Sequence, residues 1–277
     1  MRTPRMIVLV ALALVAGCGA EPRPVGPPPE PPVDMSFRVG DVREFALPLD
    51  AYRLSDEEFR AFDRARLLLV QRCMRRSGYA YPLPPSLPEF LGRNEKRYTL
   101  ADPGRAATVG YHDPEADERS RELGAEQDMT AAEEVVLNGP QGGAGCNAEA
   151  VQQLGGTGVS GLVQSLSHEA YEQGLADSRV RQVSAAWSVC MRASGHEYAD
   201  PPAANDDPAF ATPAATEAEI AVATADLRCK RETNYIGVRA AVETAYQQRK
   251  VEENRYGLEA VRAGNERIRR AVAAIET

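Results

Sequence analysis

Five cysteines and three histidines are the side chains of this 277-residue chain best suited to nucleophilic, redox or metal chemistry. Their spacing supports none of it. Cys18, Cys73, Cys146, Cys190 and Cys229 are scattered, so no Cys-x-x-Cys pair offers a redox couple or half of a thiolate zinc site. His112, His168 and His196 stand apart, and no His-Glu-x-x-His occurs. His196 follows Cys190 closely, but a Cys/His nucleophile there would need a free thiol of lowered pKa. Asp113-Pro114-Glu115-Ala116-Asp117 opens like a calcium loop, yet Glu118 stands where that loop requires Gly and Gly124 where it requires Glu. Gly156-Thr157-Gly158-Val159-Ser160-Gly161 spells a dinucleotide fingerprint without the strand that must precede it. Neither Gly-x-Ser-x-Gly nor Ser-x-x-Lys is present. The pattern names no catalytic residue, no metal site and no cofactor. Tyr79, Tyr81, Tyr198 and Trp187 are candidates for an aromatic pocket, although packing against helix ends and in a core accounts for them equally well.

The strongest signal is an internal repeat. Cys73-Met74-Arg75-Arg76-Ser77-Gly78-Tyr79-Ala80-Tyr81 lies over Cys190-Met191-Arg192-Ala193-Ser194-Gly195-His196-Glu197-Tyr198, and Pro84-Pro85 over Pro201-Pro202. Both copies fall at a predicted helix C-terminus, where the glycine permits a left-handed turn. Each copy is followed by one more cysteine, Cys146 in the first half and Cys229 in the second. Four cysteines allow three pairings. The repeat favours Cys73–Cys146 and Cys190–Cys229, with free core thiols as the competing reading.

The elements that must position these residues are helices. Ser55-Asp56-Glu57-Glu58, Thr130-Ala131-Ala132-Glu133 and Thr216-Glu217-Ala218-Glu219 are capping boxes. The first predicts a helix to Gly78 with Phe59, Phe62, Leu69, Val70 and Cys73 inward, and the second a short helix to Gly139. Further helices are expected from Cys146 to Leu154, Leu162 to Gly174 and Ser178 to Ser194, the last with Val180, Val183, Trp187 and Cys190 inward. Residues 82–128 read as long loops with short helices, and Asp200–Pro213 as a proline-rich loop. From Thr216 to Ile275 the chain is free of proline. That predicts a long C-terminal helix and allows a break near Gly237 or Gly257. Its stripe of Val251, Leu258, Val261, Ile268, Val272 and Ile275, interrupted by Asn254 and Asn265, suits a partner helix. The expected fold is mostly α, with two related disulfide-stapled halves at about 55–154 and 162–277, long loops and that C-terminal helix.

The N-terminus carries an address. Arg2 and Arg5 precede the apolar run from Met6 to Val15, which is too short to span a bilayer. The run ends in Val15-Ala16-Gly17-Cys18, and these residues resemble the lipobox of bacterial lipoprotein precursors. The resemblance implies a signal peptide over residues 1–17, cleavage before Cys18, and diacylglyceryl attachment to its sulfur. Two acyl chains such as palmitate suffice for stable anchoring, at about 0.8 kcal/mol per buried CH₂. Glu21 to Asp34 holds seven prolines and favours an extended spacer of roughly 40–50 Å, at about 3.1 Å per residue. Residues 18–36 then form the anchor and spacer, and 37–277 the folded domain.

The formal charge is −8, and loss of Arg2 and Arg5 would take it to about −10. Such a surface repels nucleic acid and anionic headgroups, so the membrane contact falls to the lipid. The repeated Cys-Met-Arg-x-Ser-Gly motif, with Leu47-Pro48-Leu49-Asp50-Ala51-Tyr52 ahead of it and Ala225-Asp226-Leu227-Arg228-Cys229 behind, resembles extracytoplasmic proteins of actinobacteria. That resemblance supplies no catalytic residue. The expected protein is lipid-anchored on the outer face of the cell membrane, non-enzymatic, and engaged in binding or scaffolding through its C-terminal helix. The alternatives are a small-molecule or peptide-binding lipoprotein and an envelope enzyme. The enzyme reading would gain if His112 or His196 faced an acidic pocket.

Overall fold

A computed structural model describes residues 29–83, 93–116, 129–140 and 143–276. The chain divides into two compact units, residues 1–30 and 31–277. The lipobox with Cys18, the first part of the spacer, Pro84-Pro85 and the acidic stretch from Asp117 lie outside the described residues. Among the described residues the second unit is built from helices and contains no strand. They are α1 (Asp56–Arg76), α2 (Pro103–Val109), α3 (Ala131–Asn138), α4 (Cys146–Leu154), α5 (Gly161–Leu175), α6 (Ser178–Ala193), α7 (Pro201–Asn205), α8 (Glu217–Thr233), α9 (Tyr235–Glu253) and α10 (Arg255–Glu276). Short 3-10 turns lie at Pro48–Tyr52 and Pro208–Phe210. None of the described helices is long and apolar enough to cross a membrane.

The first two capping boxes close as expected. Ser55 Oγ accepts from the Glu58 N–H at 3.1 Å, and Glu58 returns a bond to the Ser55 N–H at 2.7 Å. Thr130 and Glu133 do the same at the head of α3. The loop expected over 200–213 contains more order than its prolines suggested. Asp200 caps α7 by accepting from the Ala203 N–H, and Pro201 sits in the first turn, where its missing N–H costs nothing. The C-terminal helix does break near the two glycines, three residues before each and not at the glycines themselves. The chain turns at Asn234, whose φ is +59°, and at Asn254. Gly237 instead lies inside α9, where a Cβ would come within 2.4 Å of the Phe37 carbonyl oxygen. Its missing side chain permits close packing, while asparagine tolerates the left-handed turn.

Both cystines form in the pairing that the repeat favoured, Cys73–Cys146 and Cys190–Cys229, with Cα–Cα distances of 5.5 and 5.6 Å. The repeat extends to hydrogen bonds. Tyr79 donates its N–H to Met74 O at 3.0 Å, and His196 donates its own to Met191 O at 3.0 Å. Gly78 and Gly195 hold φ of +87° and +85°. One turn earlier, Gln71 Nε2 donates to Tyr81 O and Ser188 Oγ donates to Tyr198 O. Met74 and Met191 are both fully buried. The halves are related in their stapled helix ends, but they share cores across the sequence.

The C-terminal helix shows this sharing. Ile268 and Val272 of α10 pack among Phe62, Leu69, Met74 and Leu154, in the core that α1 and α4 begin. Leu258 joins Leu49, Tyr52, Val163 and Leu166. Asn265 donates to Tyr52 O at 3.0 Å, and Arg269 binds Glu58 at 2.7 Å. The apolar stripe predicted for a partner helix is covered by this chain's own α1, α4, α5 and the Pro48 turn. The folded unit also begins before the expected Phe37. Pro31 is buried, its carbonyl accepts from Arg179 at 2.8 Å, and Asn234 donates to Phe37 O at 2.9 Å. A proline chain keeps every carbonyl as an acceptor, so the end of a spacer can lie along a helical surface.

Two stability predictions follow from these contacts. Replacing both Cys73 and Cys146 by Ser is expected to cost about 4 kcal/mol in urea denaturation, because a long loop is released in the unfolded chain. Asp177 caps α6 and is fully buried against Arg179 and Tyr246. Burial pushes its carboxyl up, but the side-chain and N–H bonds from Arg179 outweigh this and hold it below the ordinary value. Its contribution is present above about pH 4 and is lost as pH falls through the lower folded value. Asp177→Asn is expected to be about 2 kcal/mol less stable at pH 7 and to lose less stability between pH 5 and 3 than wild type in urea titrations.

Candidate functional site

The polar groups of this fold converge on one face of α8. Glu219, Asp226 and Lys230 are fully buried on it, at spacings that keep them on one side of a helix. The third capping box explains how Glu219 arrives there. Thr216 does accept from the Glu219 N–H at 3.2 Å. The Glu219 carboxylate does not reciprocate. Its Oε1 turns inward to accept from the Tyr111 N–H at 2.8 Å and to meet His112 Nδ1 at 2.9 Å. Gly110, with φ of +59°, makes room for this, since a Cβ there would lie 2.5 Å from that oxygen. Glu219 Oε2 is buried and has no hydrogen-bond partner.

Further along α8, Asp226 and Lys230 form an ion pair at 2.7 Å with both side chains wholly enclosed. Trp187 Nε1 donates to Asp226 Oδ1 at 2.9 Å, and the Tyr111 hydroxyl donates to Oδ2 at 3.2 Å. Lys230 Nζ donates to Thr99 Oγ1 at 2.6 Å and to Leu100 O at 2.7 Å. Thr99 holds a φ of +68°, a left-handed conformation costly for a β-branched residue, and the ammonium clamps it there. Burial pushes the Asp226 carboxyl up and the Lys230 ammonium down, and their mutual attraction opposes both shifts. Burial likewise raises the Tyr111 phenol, aided by Asp226.

Two cavities of about 190 and 420 Å³ share Tyr111, His112 and Asn205. Glu219, Asp206, Asp207 and Phe210 line the larger, and the Tyr111 and Phe210 rings stack there at 5.7 Å. His112 therefore does face an acidic pocket. Its ring is not poised as a base. Nε2 meets Thr212 O at 2.6 Å, and a carbonyl only accepts, so Nε2 carries the proton, an assignment made from its partners. Nδ1 faces the Glu219 carboxylate. With both nitrogens bound to protein oxygens, no lone pair is directed at a substrate, and the imidazole ties the 110–112 turn to α8 and to the 212 loop. A third hollow, of about 460 Å³, is lined by Arg38, Arg43 and Lys230, of which Arg43 is paired with Asp41 and Lys230 with Asp226.

The residues singled out from sequence lie elsewhere. Tyr79 and Tyr81 pack with Phe62 and Met74, whereas Trp187 and Tyr198 belong to a separate core with Met191 and Cys229. The four do not line one aromatic pocket, because the repeat places its two tyrosine turns at the C-termini of different helices, α1 and α6, which pack in separate cores. His168 is exposed, and Cys190 beside His196 is committed to its cystine. Asp113 and Glu115 of the calcium-like loop bind Lys96 and Arg105. The 156–161 glycines link α4 to α5. Glu219 passed as a capping residue, and Asp226 and Lys230 were given no site role from sequence. One signal was available: Lys occurs only at positions 96, 230 and 250 of an Arg-rich chain, and Lys230 follows Asp226 at i+4. Comparison with protein-family models, curated proteins and solved structures found no match.

Lys230→Met is expected to destabilise by about 3–5 kcal/mol, because it strands the Asp226 carboxylate. The double variant Asp226→Asn/Lys230→Met removes that charge and is expected to be more stable than Lys230→Met alone. Urea denaturation of the two side by side checks this.

Proposed function

We propose that this protein is a lipid-anchored, extracytoplasmic binding module of the bacterial cell envelope. The observation that carries the reading is the pairing of Cys73 with Cys146 and Cys190 with Cys229. Both links belong in an oxidising compartment. They leave Cys18, within its Val-Ala-Gly-Cys sequence, as the remaining thiol of the five. The proline-rich stretch behind it would lift the domain off the headgroups. Binding is favoured over catalysis because His112, the histidine at a cavity, has both ring nitrogens occupied. Binding is favoured over helix-mediated scaffolding because the apolar stripe of α10 is spent inside the fold. A protein partner would have to engage its polar outer face.

The test is metabolic labelling with radioactive palmitate followed by fractionation of a bacterial host. The full chain is expected to take the label and to sediment with membranes. Cys18→Ala is expected to lose both properties. A variant that keeps either one would overturn the anchoring.

A further inference from the structure

We propose that the larger cavity beside His112 is a binding site for a small organic cation, an alkyl ammonium or guanidinium group on a short apolar stem. The inference rests on the binding reading above and names its ligand class. Its first support is charge. Asp206 and Asp207 line the cavity and have no basic partner among the described residues: Asp206 accepts from Asn205 Nδ2 at 2.7 Å, and Asp207 from the Tyr198 hydroxyl at 2.7 Å and the Ala209 N–H at 2.9 Å. The neighbouring bases do not neutralise them, since Lys96 and Arg105 are engaged by Asp113 and Glu115. His112 turns its Nδ1 to Glu219 at 2.9 Å.

The second support is independent of that acidic cluster. Glu219 is wholly buried on the cavity wall, and its Oε2 accepts no hydrogen bond. A buried carboxylate oxygen without a donor is costly, and such groups in native proteins call for a reason. The helix offered Glu219 a donor in its own capping box, and the fold turned the carboxylate away from it. An ammonium or guanidinium seated in the cavity brings N–H donors to that wall. The third support is apolar. The Tyr111–Phe210 stack gives the cavity aromatic faces suited both to a cation and to a methylene stem. At about 420 Å³ the space falls at the lower end of the range for small-molecule sites, so the ligand is a compact one.

Isothermal titration calorimetry on the full chain in detergent tests the assignment with cadaverine and agmatine. 1,5-Pentanediol and glutarate serve as neutral and anionic counterparts of cadaverine. Saturable binding of both amines is expected, with none for the diol or the diacid. Asp207→Asn and Glu219→Gln are each expected to weaken binding about tenfold, the effect of losing one charged hydrogen-bond partner. Asp206 is exposed, so Asp206→Asn keeps the test decisive if Glu219→Gln fails to fold. Absence of amine binding, equal binding of glutarate, or unchanged affinity in both aspartate variants would overturn the proposal. A chain that sediments with membranes yet ignores both amines sinks this site alone. One that binds them without taking palmitate sinks the anchoring alone.

Discussion

Asp226 and Lys230 meet inside the protein with no access to water, and three separate segments are held by what that pair requires. The carboxylate recruits Trp187 from α6 and Tyr111 from the turn after α2, and the ammonium recruits Thr99 and Leu100 from the loop before it. A buried pair of this kind adds little net stability over an apolar substitute. What it imposes is geometry, because each remaining lone pair and N–H must find a partner in a fixed direction. The loops on either side of α2 take their shape from these demands. The cavities beside His112 open among these segments.

Local chemistry was legible in the sequence wherever one helix turn contained it. The boxes at Ser55 and Thr130, the glycine turns at Gly78 and Gly195, and the pairing of the cystines all depend on residues a few positions apart or on the repeat itself. What escaped was tertiary. Glu219 has the right type and spacing for a capping box, and only the approach of Gly110 and His112 diverts it. Gly237 looks like a breakpoint until Phe37 is seen to press against it, and Asn234 looks ordinary until its backbone is found in the left-handed region. The tyrosines of the repeat lie at equivalent turns, and equivalence says nothing about proximity.

The two halves resemble each other at their stapled helix ends and diverge in how their second cysteine is delivered. Cys146 is the first residue of a short helix, reached through a glycine-rich loop, whereas Cys229 lies near the end of α8. The longer second helix gives the second half a polar face that the first lacks. Glu219 and Asp226 lie on that added length and Lys230 directly follows the cysteine, so the departure from symmetry is where the candidate site resides.

The placement of α10 has a bearing on how the chain reaches its native state. Glu58 and Arg269 are 211 residues apart, and the inward face of α1 is covered by Ile268 and Val272 of α10 together with Cys146, Ala150 and Leu154 of α4. Contacts of such sequence separation close slowly, because a large loop must be ordered before any of them forms. The core begun by α1 and α4 is therefore completed only when α10 docks on it.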